Sequence, residues 1–225
     1  MIKTLIFDLD DTLYNERTYV FGAFKEVCDY LGNKHDLNAE LLYKDVINIF
    51  YEKGRGKIFN DLCDKHNLKE NIKNLVSTYR KSRPKLTMYE DALYMLKWLK
   101  KHGYNLGVIT DGKSIVQWNK IKSLNLEEFV DKIVVSDDLG SEFWKPHEKP
   151  YLEVINYFNC KNEECIYVGD NPNKDFVGAR KLNLKTIRII REEGDHMKTF
   201  LSKEYEADFN IDSLTEIKEV LKDIN

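Results

Sequence analysis

From residue 88 onward, short apolar runs alternate with segments in which apolar residues recur every three or four positions. The short runs predict strands over residues 104–109, 132–135, 165–168, 185–190 and 207–211, and an earlier run predicts a first strand over residues 2–7. The segments between them predict helices near residues 90–101, 114–123, 151–158, 175–182 and 214–221, with an irregular loop over residues 136–150. Strands alternating with helices of this length are typical of βαβ units. The pattern therefore predicts an α/β fold, with a doubly wound, three-layer core around a parallel sheet.

A different pattern fills the stretch after the first strand. Apolar residues recur at helical spacing through residues 18–83, no strand pattern interrupts them, and Pro84 marks the exit from this block. We therefore expect an all-helical insert over residues 16–84, between the two parts of the core at residues 1–15 and 85–225.

Composition narrows the class of partner. The chain has 225 residues, 42% of them hydrophobic, which allows one sizeable core and a smaller attached domain. Its 35 basic and 38 acidic residues give a net charge of -3 and form no long run of one sign, which argues against binding nucleic acid or an anionic membrane. A small-molecule partner is expected, and oligomeric state has no signature in the sequence.

Cysteine usage and the N-terminus indicate the compartment. The four cysteines, Cys28, Cys63, Cys160 and Cys165, form no C-x-x-C pair, so neither a disulfide framework nor a structural zinc site is indicated. Asp8 interrupts what would have to be the apolar core of a signal peptide, and no apolar run is long enough to span a bilayer. We expect a cytoplasmic protein.

An acidic cluster directly follows the first strand, in the segment Asp8-Leu9-Asp10-Asp11-Thr12. Neighbouring carboxylates repel by about 4 kcal/mol per pair at about 4 Å and an effective dielectric of about 20, unless a cation or a proton intervenes. Ligands of open α/β sheets bind outside the carboxyl ends of the strands, which favours a metal site here. Such residues also commonly end a strand and begin a turn, so this segment alone leaves both interpretations open.

Polar residues follow other strands of the predicted sheet. Thr110 and Gly169-Asp170 each come directly after an apolar run, and Lys145 lies in the loop after another. Parallel strands bring these positions to one edge of the sheet. Carboxylates for Mg²⁺, a hydroxyl beside backbone N–H groups at a helix start, and an ammonium group together suit a phosphoryl ligand.

These segments, in this order and spacing, resemble the four motifs of the haloacid dehalogenase (HAD) superfamily. The motif residues are Asp8-Leu9-Asp10-Asp11-Thr12, Thr110, Lys145, and Gly169-Asp170 through Asp175. The helical insert resembles the C1 cap of subfamily I, which includes phosphatases of small metabolites. Members that cleave carbon–halogen bonds lack the second Asp of the first motif, so Asp10 favours a phosphatase.

The resemblance implies roles for the acidic residues. Asp8 would be the nucleophile that forms an aspartyl-phosphate, and Asp10 would be the general acid and base. The carboxylates of Asp8 and Asp170, with the backbone carbonyl of Asp10, would hold Mg²⁺.

The resemblance also implies phosphate-binding groups. Thr110 and the backbone N–H groups of Asp111 and Gly112 would bind the phosphoryl oxygens, and Lys145 would offset the negative charge. Asp111 departs from the Asn that is common at its position; its side chain either points away or restricts the leaving group.

Two further assignments are less direct. Lys149-Pro150 repeats Lys145-Pro146, so either lysine could belong to the third motif; we prefer Lys145 because of its register with the following helix. Asp175 either orients Lys145 or only caps a helix, and we favour the former.

Outside the motifs, Arg55 and Lys57 are candidates for binding the substrate from a glycine-containing loop of the insert, although loop cations are often only solvated. His147 is a further candidate contact, with ordinary exposure as the alternative. Residues 14–17 lie where the family has a mobile flap.

The sequence thus predicts a Mg²⁺-dependent phosphomonoester hydrolase that acts on a small metabolite, such as a sugar phosphate or a nucleoside monophosphate. A phosphomutase of the same superfamily is the nearest alternative. A non-catalytic regulator that binds a phosphorylated ligand is the other.

Overall fold

The computed structural model describes residues 1–224. The chain divides into two compact units: a core unit, formed by Met1–Glu16 with the chain from Leu86 onward, and a helical unit, Arg17–Lys85.

The helical unit is built from α1 (Glu16–His35), α2 (Ala39–Lys53), α3 (Ile58–Lys65) and α4 (Ile72–Lys81). Asn38 and Asn71 cap α2 and α4 by accepting hydrogen bonds from backbone N–H groups of the first turn. Phe24 packs against the rings of Phe59 and Tyr79 at centroid separations of 6.0 and 5.6 Å, inside a cluster of aliphatic side chains. An apolar interior shared by four helices holds this unit together.

Six parallel strands form the sheet of the core unit, in the order β3-β2-β1-β4-β5-β6. They are β1 (Thr4–Phe7), β2 (Asn105–Thr110), β3 (Lys132–Val135), β4 (Cys165–Gly169), β5 (Lys185–Ile189) and β6 (Phe209–Ile211). The order reverses between β1 and β4, and open α/β sheets bind their ligands at such a reversal. The ends of β1 and β4 therefore mark the expected position of a site.

The remaining helices of the core unit are α5 (Glu90–Lys101), α6 (Ser114–Ser123), α7 (Ser136–Leu139), α8 (Lys149–Phe158), α9 (Asp175–Lys181) and α10 (Ile217–Ile224). Tyr151 of α8 and Phe176 of α9 pack with Ile6 and Tyr167 of the sheet. All four residues of β1 are buried, so both faces of the sheet are covered. The predicted doubly wound α/β core is confirmed.

Most boundaries agree with the sequence prediction to within three residues, and the clearest differences are in the third-motif loop and at the last strand. The loop over residues 136–150 contains α7 and a 3₁₀ turn at Ser141–Phe143, and α8 begins at Lys149 rather than at residue 151. The last strand begins at Phe209 rather than at residue 207, because the Asp208 carboxylate bonds to the backbone N–H and the hydroxyl of Thr186, each at 2.9 Å. No helix within residues 1–224 has the length and apolar character needed to cross a membrane.

Candidate functional site

Carboxylates converge where β1 and β4 end. The N–H of Asp8 donates to the carbonyl of Val168 at 2.8 Å, which fixes the end of β1 beside Gly169 and Asp170. Carboxylate oxygens of Asp8, Asp170 and Asp175 lie within 4.8 Å of one another, and all three residues are buried. The Asp175 carboxylate packs directly against the backbone of Gly169. A Cβ at this position would lie 2.5 Å from an oxygen of Asp175, so only glycine leaves room for it.

Lys145 supplies the cation of this cluster. Its Nζ is 2.8 Å from Asp8 Oδ1, 2.8 Å from Asp175 Oδ1 and 2.7 Å from the hydroxyl of Tyr167, and its side chain is fully buried. Burial alone would lower the pKa of Lys145, but the Asp175 and Asp8 carboxylates hold it well above its usual value. The lysine is therefore a permanent positive charge against Asp8.

The competing lysine of the third motif lies elsewhere. The ammonium of Lys149 is 3.8 Å from the centroid of the Phe143 ring, and Lys149 begins α8. The lysine in contact with Asp8 is Lys145.

Asp175 uses both of its carboxylate oxygens within the protein. Oδ1 contacts Lys145, and Oδ2 accepts the backbone N–H of Asn171 at 2.9 Å. Asp175 thus contacts Lys145 directly and also stands at the first position of α9, and its role in orienting Lys145 stays a prediction.

For the carboxylates of Asp8 and Asp170, nearby positive charge does not offset the effect of burial on the pKa. Burial raises the pKa of Asp8 to about 6, even though Lys145 acts in the opposite direction. Burial and the neighbouring Asp175 and Asp8 raise the pKa of Asp170 well above its ordinary value. Hard carboxylate oxygens this close together match the ligands of Mg²⁺, and a divalent cation would relieve their repulsion. The donor set therefore fits the predicted ion.

Asp10 belongs to a separate network. Its Oδ1 accepts from the Tyr14 hydroxyl at 2.6 Å and from Lys120 Nζ at 2.7 Å, and its Oδ2 accepts from Gln117 Nε2 at 2.9 Å. Burial would raise the pKa of Asp10, but Lys120 and the hydrogen bonds from Tyr14 and Gln117 hold it below its ordinary value. The side chain of Asp10 is thus an ionised carboxylate with every contact on a neighbouring donor.

Sequence reasoning missed Gln117 and Lys120. They lie three positions apart on α6, a spacing that puts both on one face of a helix, and both are buried. One feature of the sequence could have identified them: they are polar residues on the face of α6 that the apolar pattern predicts to be buried.

Thr110 ends β2, and its hydroxyl oxygen accepts a hydrogen bond from Gln117 Nε2. Gly112 has a φ of 140°, and a Cβ there would lie 2.8 Å from Gln117 Oε1. Glycine is required at this position both for its backbone angle and for room beside Gln117.

Asp111 turns toward the third-motif loop. Its Oδ1 accepts the backbone N–H of Lys145 at 3.1 Å, and its Oδ2 lies 3.2 Å from Lys174 Nζ. Burial would raise the pKa of Asp111, but Lys145 and Lys174 hold it below its ordinary value. Asp111 therefore binds the loop that carries Lys145.

A pocket of about 120 Å³ opens on this edge of the sheet. Its lining includes Asn171 and Lys174 of the fourth motif, and also three residues outside the four motifs: Glu16, Asp195 and His196. Asp195 is positioned by its backbone N–H, which donates to Asp11 Oδ2 at 3.1 Å.

The other predicted contact residues are Arg55, Lys57 and His147. Arg55 and Lys57 belong to the helical unit and line a cavity of that unit of about 240 Å³, together with Phe59 and Tyr79. His147 is exposed and stacks edge-on against Phe143 at 5.0 Å.

Comparison with known proteins gives concordant results. The family model described as haloacid dehalogenase-like hydrolase matches residues 5–189. The chain is 32% identical, over its whole length and 99% of the relative, to a protein of Methanocaldococcus jannaschii named glyceraldehyde 3-phosphate phosphatase. It is 27% identical, over 100% of this chain and 98% of the relative, to the pyrophosphatase PpaX of Bacillus anthracis. The crystal structure of a HAD phosphatase from Thermococcus onnurineus superposes with a TM-score of 0.64 at 26% identity, covering 98% of each chain.

Proposed function

The chain belongs to the haloacid dehalogenase-like hydrolases and is a phosphatase of that family, and from this premise we propose a Mg²⁺-dependent phosphomonoesterase that works through an aspartyl-phosphate. The observation that carries the proposal is the buried cluster in which Lys145 lies 2.8 Å from both Asp8 and Asp175, beside the Asp170 carboxylate.

Asp8 is the proposed nucleophile. Lys145 holds Oδ1, so we assign the attack on phosphorus to Oδ2. The attack breaks the bond between phosphorus and the ester oxygen and leaves the phosphoryl group on the carboxylate, which splits one difficult step into two.

The carboxylates of Asp8 and Asp170 and the backbone carbonyl of Asp10 would hold Mg²⁺ at the end of the sheet. When bound, the ion neutralises negative charge so that a phosphate dianion can approach a carboxylate. Asp175 takes no direct part, because both of its oxygens already bind Lys145 and Asn171.

Asp10 is the proposed acid and base. As an ionised carboxylate beside Lys120 it is ready to accept the proton of the water that hydrolyses the aspartyl-phosphate. To protonate the leaving oxygen in the first step, it must acquire a proton and leave Lys120.

Donors of the second and third motifs are proposed to bind the phosphoryl oxygens. We assign this role to the Thr110 hydroxyl, the N–H groups of Asp111 and Gly112, and the Lys145 ammonium. Lys174, which lines the pocket, adds a further positive charge.

A short phosphorylated aldehyde or sugar is the proposed substrate, with glyceraldehyde 3-phosphate as the first candidate. Support comes from full-length relatives with that name at 30 to 32% identity. Pyrophosphate is a second candidate, because the 27% identical relative is a pyrophosphatase. Nucleoside monophosphates complete the set to be assayed.

We propose that the helical unit is the cap of this enzyme and carries its selectivity. Arg55 and Lys57 bring two cations to the wall of its cavity, beside the aromatic side chains of Phe59 and Tyr79. Cations beside an apolar surface suit an anionic organic substrate.

The test is phosphate release from glyceraldehyde 3-phosphate, hexose phosphates, nucleoside monophosphates and pyrophosphate, with Mg²⁺ and with a chelator. We expect turnover only with Mg²⁺, and its loss in Asp8→Asn but not in Asp223→Asn, a matched change of an exposed acid on α10. An Asp8→Asn variant as active as the parent would contradict the mechanism. Release of an isomeric ester instead of phosphate would indicate a mutase, and no turnover on any ester would indicate a regulator.

A further inference from the structure

We propose that Gln117 is a positioning residue that holds the acid–base carboxylate of Asp10 and the phosphate-binding hydroxyl of Thr110 in one fixed arrangement. The inference rests on the proposed function of those two residues. Gln117 lies outside the four motifs, so it was not among the predicted site residues.

The side-chain amide of Gln117 bridges the two groups. Its Nε2 donates to Asp10 Oδ2 at 2.9 Å and also to Thr110 Oγ1, and the residue is only 1% exposed. An amide nitrogen has two hydrogens, one for each acceptor. Both acceptors lie within hydrogen-bond distance of the same Gln117 atom, which assigns the nitrogen, with its two hydrogens, to this position.

This bridge determines the direction of the Thr110 hydroxyl. Because Thr110 Oγ1 accepts from Gln117, its own hydrogen is available to donate to another acceptor. In the proposed reaction that acceptor is a phosphoryl oxygen. Gln117 thereby orients Thr110 to bind the phosphoryl group. It also holds Asp10 in position to protonate the leaving group.

The backbone around Gln117 is built to keep it in place. The N–H of Ser114 at the start of α6 donates to Asp137 Oδ2 at 3.0 Å, and Lys113 Nζ lies 3.1 Å from the other oxygen of Asp137. A Cβ on Gly112 would lie 2.8 to 3.1 Å from three side-chain atoms of Gln117. The glycine of the second motif is therefore matched to the side chain that follows it by five positions.

Lys120 has a different part in the same network. It contacts Asp10 Oδ1 at 2.7 Å and Glu16 at 3.3 Å, so it supplies charge to two acids. Gln117 bonds to both proposed catalytic side chains at once, and its loss should affect both together.

The experiment compares Gln117→Met, which keeps the length of the side chain and removes its donors, with Lys122→Met, an exposed position of the same helix. Two substrates separate the roles. Glyceraldehyde 3-phosphate has an alkoxide leaving group that needs a proton, whereas p-nitrophenyl phosphate has a leaving group that does not.

We expect Gln117→Met to lower kcat for the alkyl ester by about 10–100-fold, less than the roughly 10²–10⁴-fold that acid–base catalysis supplies, because Asp10 itself remains. The first-turnover burst of nitrophenol should fall by less than about threefold, since that step needs no general acid. The affinity for inorganic phosphate in the presence of Mg²⁺, measured by calorimetry, should fall several-fold through Thr110. Lys122→Met should match the parent in all three measurements.

Equal losses on the two esters, or unchanged phosphate affinity, would overturn the positioning role and leave Gln117 as a packing residue. Gln117→Glu is the second variant if Gln117→Met does not fold, because it keeps size and polarity but sets a carboxylate against Asp10. A parent protein without turnover would refute the proposed function. The phosphate-affinity measurement would still decide whether Gln117 prepares Thr110.

Discussion

The core unit and the helical unit fill their interiors with different kinds of side chain. The core unit buries charged groups at its sheet edge, among them Asp8, Lys120, Lys145 and Asp170. The helical unit buries mainly aliphatic side chains and aromatic rings, and its buried Asp45 is paired with Lys65 and His66. Buried charges are costly unless paired, so they indicate where a protein keeps groups for chemistry rather than for stability. The contrast separates the place of the proposed reaction from a unit whose interior serves stability.

Removing the cation of the core cluster should have the largest effect. Lys145→Met leaves the Asp8 and Asp175 carboxylates buried without their partner, and should lower the free energy of unfolding by about 3–5 kcal/mol. Phosphatase activity should fall by about 10³-fold, because the lysine also stabilises the phosphoryl charge. Chemical unfolding and phosphate release measure the two effects.

Lys149→Met is the matched control, since it changes the same residue type four positions along. Its ammonium lies over the Phe143 ring, a cation–π contact that contributes about 0.5–1 kcal/mol at sites open to solvent, and Lys149 is half-buried. Activity should stay within about threefold of the parent. If Lys145→Met and Lys149→Met had the same stability and activity, the lysine buried at the sheet edge would have no special role.

An apolar truncation in the helical unit should be purely a matter of stability. Leu62 is fully buried in the α1–α4 interior, and Leu62→Ala should cost about 3 kcal/mol. The control is Leu41→Ala on α2, where the side chain is 52% exposed and the cost should be below about 0.5 kcal/mol. Thermal melting followed by circular dichroism measures both.

Activity at a temperature where Leu62→Ala remains folded should stay close to that of the parent. A loss of kcat in the folded variant would show that the interior of the helical unit takes part in the reaction, and the contrast between the units would fail.

The contrast also explains what the sequence could predict. Asp8, Thr110 and Asp170 follow apolar strands of one parallel sheet, so their meeting at one edge follows from periodicity and topology alone. Lys120 and Gln117 meet Asp10 only because α6 presents one particular face, and a chain separation of more than 100 residues hides that contact.

The course of the segment after β5 could not be predicted from the sequence either. Arg188 interrupts an apolar strand, and its charge is satisfied by Glu206 and by the carbonyls of His196 and Thr199 at 2.7 to 2.9 Å. These bonds hold the segment that brings Asp195 and His196 to the pocket. Such a segment has no periodic pattern, because side-chain bonds to its backbone define its course.

Neutralising the proposed nucleophile should raise the free energy of unfolding. This effect is smaller than the losses expected above and opposite in sign. The pKa of Asp8 is raised to about 6, so the native metal-free protein binds this proton more tightly than the unfolded chain does. Stability should therefore fall as pH rises through about 4 to 6. At pH 7.5 in a chelator, Asp8→Asn should be more stable than the parent by about 1–3 kcal/mol, since each pKa unit corresponds to about 1.4 kcal/mol.

Urea unfolding at pH 5 and pH 7.5 measures this difference, which should shrink at the lower pH. Added Mg²⁺ should stabilise the parent and have little effect on Asp8→Asn. A variant less stable than the parent at pH 7.5 would mean that the pairing of Asp8 with Lys145 outweighs its burial.

The smallest effect is expected at the cavity of the helical unit. Lys57 is exposed at the start of α3 and lines the cavity with Arg55, so Lys57→Met should remove attraction for an anionic substrate without changing the fold. KM should rise about 3–10-fold while kcat stays constant, the signature of binding shared by ground and transition states. The matched control is Lys53→Met, whose exposed ammonium pairs with Asp61 at 3.4 Å. Equal KM values for the two variants would show that the cavity cations do not contact substrate, and would leave the core unit to provide both the chemistry and its selectivity.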